Sequence, residues 1–524
     1  MTGPAAMTGP AAMTGPATVR LGGALAVADV VALAAGARAC LVPEAAARMA
    51  ASRAVVEQKL AEGATVYGVT TGFGSLAGVR LDPGSSAELQ HGLLRSHAVG
   101  TGPSLAAPEV RAMLGLRAHM LALGRSGVRA EVAEAFVALL NAGLLPVVPE
   151  RGSLGASGDL APLAHLALPV VGEGEVWLEG HKVGAAAGLA AAGLRPLRLQ
   201  AKEGLSLING TQGMTAVGVL AADRLARLCR VADLAAAMTT EAILGTDRAF
   251  DERIMALRPH PGQAASAANL RSLLSGSDIV ASHRDSPHLV QDAYSLRCAP
   301  QVHGAVRDAL SHVLAVLELE IASVTDNPVV LAETAEVVSG GNFHGQPVAV
   351  ALDGLAAATV GLASVSERRL YRLLDPATSN GLPAFLVPQA GLNSGLMVLQ
   401  YTAASLVSEA KTLAHPASVD SIPSSAGQED HVSMGMTAAR HLRDCVELAE
   451  VVLAAELLGA AQALDLRKPL APAAGTGAAH LCLRQSVPSL SGDRYLAPDL
   501  EAAVGCLRSG RLVAAAEEVV GRLL

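Results

Sequence analysis

The chain has 524 residues, 51% of them hydrophobic and 16% charged, with 39 basic and 47 acidic side chains giving a formal net charge of −8. No basic patch tracks a nucleic acid, and no polybasic segment suits a membrane surface. The apolar surplus fits either a membrane protein or extensive burial. The longest apolar windows fall short of the roughly 18 uninterrupted residues of a spanning helix, because Asp353 breaks 351–366 and Glu447, Glu450 and Glu456 break 446–464. Burial between subunits of a soluble homo-oligomer is the expectation.

The chain opens with Met-Thr-Gly-Pro-Ala-Ala, repeats it, and begins it a third time at Met13. It has neither a basic nor an apolar signal region, and such low-complexity sequence reads as a disordered tail over residues 1–18. Residues 19–205 form an expected N-terminal domain that mixes short helices with loops. Helical periodicity covers 43–62 and 106–124, and 174–200 alternates more like strands, with Gly180-His181-Lys182 as a turn. Between the helices, Tyr67-Gly-Val-Thr-Thr-Gly-Phe-Gly74 suits a shaped loop near a ligand.

From 206 to 470 the pattern predicts a central bundle of five long helices, at 212–245, 302–324, 346–374, 394–413 and 433–466. Loops rich in Gly, Ser, Asn and Pro separate them, and a helical C-terminal segment is expected over 471–524. Six cysteines without CxxC spacing (Cys40, Cys229, Cys298, Cys445, Cys482, Cys506) fit reduced thiols in a cytoplasm.

One loop, Gly152-Ser-Leu-Gly-Ala-Ser-Gly-Asp-Leu160, lies between two apolar runs. Its ordinary reading is a turn whose Asp159 caps a short helix. Its chemical reading concerns Ala156-Ser157-Gly158. If the Gly158 nitrogen closes onto the Ala156 carbonyl and Ser157 loses its hydroxyl as water, an electrophilic five-membered ring with an exocyclic methylene results. Gly is required because a Cβ would block so close an approach, and Ser because it can dehydrate.

Other chemistry-capable residues fall in loops. Tyr67, Phe73, Tyr294 and Phe343 sit in loop motifs although the chain has only eleven aromatics. Arg297 suits a bidentate clamp on a carboxylate, and Gln428, Glu429, Asp430 and His431 abut an expected helix start that they would otherwise cap. HExxH, P-loop and GxSxG motifs are absent. His283 and His288 have a metal-like spacing but no partner pair, so no metal is expected.

With these segments in hand, the chain resembles the family of aromatic amino-acid ammonia-lyases and aminomutases over about residues 25–510. The motifs that carry the resemblance are GSLGASGDLAPLAH, YGVTTGFG, SHAVGTG, SLINGTQGM, VQDAYSLRC, SGGNFHGQPVA and QEDHVSM. The resemblance implies a mainly α, L-aspartase/fumarase-like long-helix bundle with a mixed N-terminal lobe that bears the loop. It also implies a homotetramer whose active sites are shared between subunits. The ring would be a 4-methylidene-imidazol-5-one formed autocatalytically from Ala156, Ser157 and Gly158, with no external cofactor.

Ser96-His97 stands where phenylalanine and tyrosine enzymes carry Phe-Leu or His-Leu. Together with Gln428–His431 it resembles the histidine-specific members, which convert L-histidine to trans-urocanate and ammonia as the first step of histidine degradation. A tyrosine or phenylalanine lyase or aminomutase is the runner-up; a non-catalytic scaffold and a serine hydrolase on Ser157 are weaker rivals.

By resemblance, Tyr67 is the general base, with Tyr294 or Glu429 as alternatives. Tyr294 shuttles protons beside the electrophile, and Asn209 donates hydrogen bonds to the ring. His97 and Glu429 read the substrate imidazole, Arg297 holds its carboxylate and Phe343 packs at the ring. Gln291 and Gln428 are further substrate contacts. Gly427 departs from the Asn more usual beside the Gln-Glu pair.

Overall fold

Helix signals in the sequence translate closely into helices. The computed structural model describes residues 18–79, 86–286 and 290–524. The tail reading, save Thr18, and His288 of the His283/His288 pair lie outside these residues. The five long helices run Gln212–Ala242, Ala299–Ile321, Gln346–Leu374, Met397–Leu413 and Gly435–Leu466. Two of the expected short ones appear as Pro43–Ala61 and Ala107–Ala122, each with Pro in its first turn, where a missing N–H costs nothing. The architecture is mainly α.

Two corrections fall in 174–200. Only Glu175–Leu178 and His181–Gly184 are strands, with their turn at Glu179-Gly180, both at positive φ, so His181 and Lys182 belong to the ladder. The Ala-rich run that follows is a helix, Ala185–Ala191, because alanine favours helix and carries no alternation of its own.

The described residues group into two compact units, each drawn from three stretches. The first comprises Met1–Leu220, Leu314–Val350 and Ala417–Ala439. At its centre the helix Ala107–Ala122 buries nearly every side chain, Arg117 and His119 included. The strand Thr101–Ser104 follows the helix Ser86–His97 and pairs antiparallel with Pro149–Arg151, whose end opens into the Gly152–Leu160 loop. The helix carrying His97 and the loop carrying the triad are thereby joined through one ladder.

The second unit comprises Ala221–Val313, Ala351–Pro416 and Arg440–Leu524. Small residues such as Ala449, Ala454, Ala460 and Ala461 are fully buried along Gly435–Leu466, which lets helices approach closely. Buried polar groups cross-link them. Glu456 takes two hydrogen bonds from Arg369, at 2.6 and 2.8 Å, and one each from Thr239 and Ser366. Asp233 accepts from His303, Ser266, Asn269 and Arg307 at 2.6–2.8 Å. Arg369 can only donate, so His303 Nε2, 3.3 Å from it, is an acceptor and the imidazole is neutral.

Gln346–Leu374 is long and apolar enough by length and composition to cross a membrane, a property that the requirement for an uninterrupted run did not register. In this structure 61% of its most apolar window is buried within the protein.

Candidate active site

The triad loop is built around glycines that tolerate what other residues do not. Gly158 has φ +77°, and a Cβ there would lie 2.0 Å from the Gly210 carbonyl oxygen. Gly155, at φ +85°, would bring a Cβ within 2.3 Å of Ser433 Oγ. Backbone bonds knit the strip to two distant segments. Gly210 N donates to the Ser157 carbonyl at 3.2 Å, Asp159 N to the Gly210 carbonyl at 2.8 Å, and Ser433 N and Met434 N to the Gly155 and Leu154 carbonyls. Ala156 and Gly158 are buried, whereas Ser157 stays half-buried and faces a cleft.

Asp159 does not cap the short helix Ala161–Ala167, whose N-cap is Leu160. It caps a helix more than fifty residues away, accepting from Gly213 N at 2.6 Å and Met214 N at 3.1 Å at the start of Gln212–Ala242. Burial pushes its carboxyl up to about 7 against the pull of those amides and of Arg117.

Ser157, Tyr67, Asn209 and Glu429 line both a cleft of about 600 Å³ and a second cavity of about 390 Å³. His97, Phe73 and Leu205 belong to the larger, and Phe343, Gln428 and His431 to the smaller. Six of the expected site residues, Tyr67, His97, Asn209, Phe343, Gln428 and Glu429, thus converge on Ser157 from segments scattered between residues 67 and 429. Tyr67 Oη accepts from Gly74 N at 3.0 Å, and its ring meets Phe73 edge-on. Asn209 is buried and donates one Nδ2 hydrogen to the Asn327 carbonyl at 2.6 Å, leaving the other free for a ligand.

His97 Nδ1 sits 2.9 Å from the Leu93 carbonyl. A carbonyl only accepts, so Nδ1 carries the proton and Nε2 is left as an acceptor. Burial holds the His97 pKa below its ordinary value, countered by the Leu93 bond and Glu429. Glu429 accepts from Ser424 Oγ at 2.7 Å. The Gln428–His431 run does not cap the next helix, which begins only at Gly435. Gly427 has φ +85° and open space around it, a conformation that Asn also tolerates, so its departure from the family pattern leaves the turn intact.

Gln291, Tyr294 and Arg297 form a separate group on the second unit, outside both cavities. Arg297 stacks over the Tyr294 ring at 4.5 Å, and Tyr294 is 70% exposed. Gln291 and Arg297 line a hollow of about 380 Å³ with Asp247 and Arg284.

Sequence reasoning passed over Arg117, Asn327 and His344. Arg117 lies in an apolar helical run, where only its charge stood out. Asn327 offers a carbonyl, which any residue has. His344 donates through Nε2 to the His431 carbonyl at 3.1 Å, tying the segment of Phe343 to that of Glu429. Among the described residues, no group of three or more His, Cys, Asp or Glu is arranged to hold a metal ion.

Comparison with known proteins identifies the family. A family model described as aromatic amino acid lyase matches residues 25–485. The histidine ammonia-lyase of Sorangium cellulosum is 54% identical over 512 residues, covering 96% of this chain and 99% of that protein. Among solved structures, histidine ammonia-lyase from Trypanosoma cruzi superposes with a TM-score of 0.88 at 42% identity, covering 96% of this chain and 95% of that one. Tyrosine aminomutase from Streptomyces globisporus superposes at 0.90 with 38% identity, covering 96% and 98%. Backbone shape therefore does not separate the two activities, while identity runs higher to these histidine ammonia-lyases. The matched span takes in both the Ala156–Gly158 loop and the Tyr294–Arg297 turn, and the chain belongs to the aromatic amino acid lyase family.

Proposed function

We propose that this carbon–nitrogen lyase is a histidine ammonia-lyase, converting L-histidine to trans-urocanate and ammonia. The observation that carries the reading is the pairing of His97, its Nε2 committed as an acceptor, with Glu429 in the cleft that Ser157 faces. Two acceptors suit an imidazole with N–H on each nitrogen, and a phenyl or phenol ring offers no such pair.

Ala156, Ser157 and Gly158 fit the ring that family members carry, since Gly158 sits where a side chain has no room and Ser157 opens to the cleft. That 4-methylidene-imidazol-5-one supplies an electrophile for the substrate amine, chemistry that ordinary side chains lack. Asn209 presents its remaining amide hydrogen on this side of the cleft. Tyr67 takes the β-proton, and the Gly74 N–H on its oxygen holds it in place as it does so. Phe343 walls the smaller cavity, and Gln428 contributes a polar contact there. Arg297 binds the carboxylate, with Tyr294 stacked on it as proton shuttle and Gln291 beside it. These three act in a cytoplasmic homotetramer whose active sites draw on more than one subunit, as the family resemblance implies.

The test is urocanate absorbance on adding L-histidine, with L-tyrosine and L-phenylalanine as parallel substrates. Turnover of tyrosine but not histidine overturns the assignment. A runner-up lyase or aminomutase would show cinnamate-type or β-amino acid products instead.

A further inference from the structure

Between the helices Glu203–Ile208 and Gln212–Ala242 lie only three residues, Asn209, Gly210 and Thr211. The first helix ends in carbonyls with no partner of their own, and the second begins with free amides. A buried cation meets the carbonyls. Arg117, fully buried, donates through Nη2 to the Ser206 and Asn209 carbonyls, both at 2.6 Å. A buried carboxyl meets the amides, namely Asp159, which accepts from Gly213 N and Met214 N. Each group has the polarity that its helix end favours.

Arg117 has a third arm. Its Nη1 donates to Gln212 Oε1 at 2.5 Å, and Gln212 Nε2 donates to Thr325 Oγ1 at 2.8 Å, two residues before the Asn327 carbonyl that holds the Asn209 side chain. Its Nε finds no acceptor among the described residues. Asp326 and Asp159 supply its nearby negative charge without touching it, and burial lowers its pKa to about 10, so it stays charged at neutral pH. The three hydrogen-bond acceptors of Arg117 lie in the joint or on the two helices that it connects. Gly210, in the middle of that joint, holds Ser157 and Asp159 through backbone bonds.

We infer that Arg117 is a positioning residue that sets Asn209 and, through Gly210, the register of Ala156-Ser157-Gly158. It lines neither cavity and does not meet substrate. The inference rests on the reading that this triad is processed into the electrophile and that L-histidine is the substrate.

The experiment compares wild-type and Arg117→Lys full-length protein by intact mass, circular dichroism and steady-state kinetics with L-histidine. Lysine keeps the charge and loses the fork that reaches three acceptors. The expected result is a folded protein with a smaller fraction lacking two waters, or with kcat reduced on the order of 100-fold as misplacement of a reacting group produces, and KM within about twofold. A folded Arg117→Lys with wild-type kcat and wild-type mass distribution overturns the inference, as does a loss confined to KM. If Arg117→Lys does not fold, Gln212→Leu decides, since it removes one acceptor and no charge. A loss of kcat at constant KM supports the inference, and unchanged kcat overturns it. Wild-type protein at its full encoded mass and without histidine turnover refutes the underlying reading instead.

Discussion

Gly158 and Gly210 lie so close that a β-carbon on Gly158 would sit 2.0 Å from the Gly210 carbonyl oxygen, with the two joined as an isolated bridge. The sequence alone assigns Gly158 to ring closure. The structure adds a second demand, because a distant segment packs against the same Cα.

Gly158→Ala is therefore expected to destabilise the protein by about 3 kcal/mol or more, combining a left-handed φ with overpacking. It should also leave the triad unprocessed. Thermal unfolding and intact mass check both parts, and a stable, active Gly158→Ala enzyme contradicts them.

Ser157→Ala keeps the backbone bonds of the loop, since the Ser157 carbonyl and not its hydroxyl accepts from Gly210. The variant should unfold at nearly the wild-type temperature while losing all turnover and the two-water mass deficit. Near-normal activity would refute the mechanism.

His97→Phe removes the acceptor Nε2 and puts a somewhat larger apolar ring in its place. Losing a hydrogen bond to a charged partner is worth about 2 kcal/mol, so kcat/KM for L-histidine should fall roughly 30-fold or more. Urocanate formation measures this, with circular dichroism as the control. A fully active variant would remove His97 from substrate recognition.

The Asp233 cluster predicts acid sensitivity. Burial opposes ionisation of Asp233, but Arg307, His303 and Ser266 outweigh it and hold the pKa at about 2. A folded pKa below the unfolded value near 3.9 adds stability that is fully present above about pH 4. It is lost as the pH falls toward 2, about 2 kcal/mol in all. His303, pushed down by burial, acts in the same direction below its ordinary range, because the unfolded chain takes up the proton first. Asp233→Asn leaves Arg307, half-buried and still bonded to the Leu524 carbonyl, without this carboxylate and should cost about 3 kcal/mol at neutral pH. An unchanged unfolding temperature would show that the cluster adds nothing.

Much of this protein was legible from residues alone. Helix Gln346–Leu374 begins and ends at the expected positions because a Gly/Asn/His-rich loop precedes it and Asp375-Pro376 follows. Tyr67, Ser157, Phe343, Gln428 and Glu429 were nameable from motifs, since loop placement of scarce aromatics and polar runs is a local property, whereas His97 and Asn209 entered through the family resemblance. The helix at Ala185–Ala191 was misread because an alanine run carries no alternating pattern, and the Gln428–His431 run was expected nearer its helix than it lies.

What the sequence determined by itself was the chemical inventory: a dehydratable triad, phenols, an amide, a guanidinium, an imidazole–carboxylate pair, and the periodicity of the long helices. Tertiary structure alone decided which of these share a cleft, which proton His97 keeps, and that Asp159 caps a helix far along the chain. It also decided that Arg117 reaches carbonyls 89 and 92 residues away. The reason is physical. Periodicity and side-chain chemistry are written within a few residues, whereas the acceptor a buried group finds depends on chain segments that meet only when the core closes.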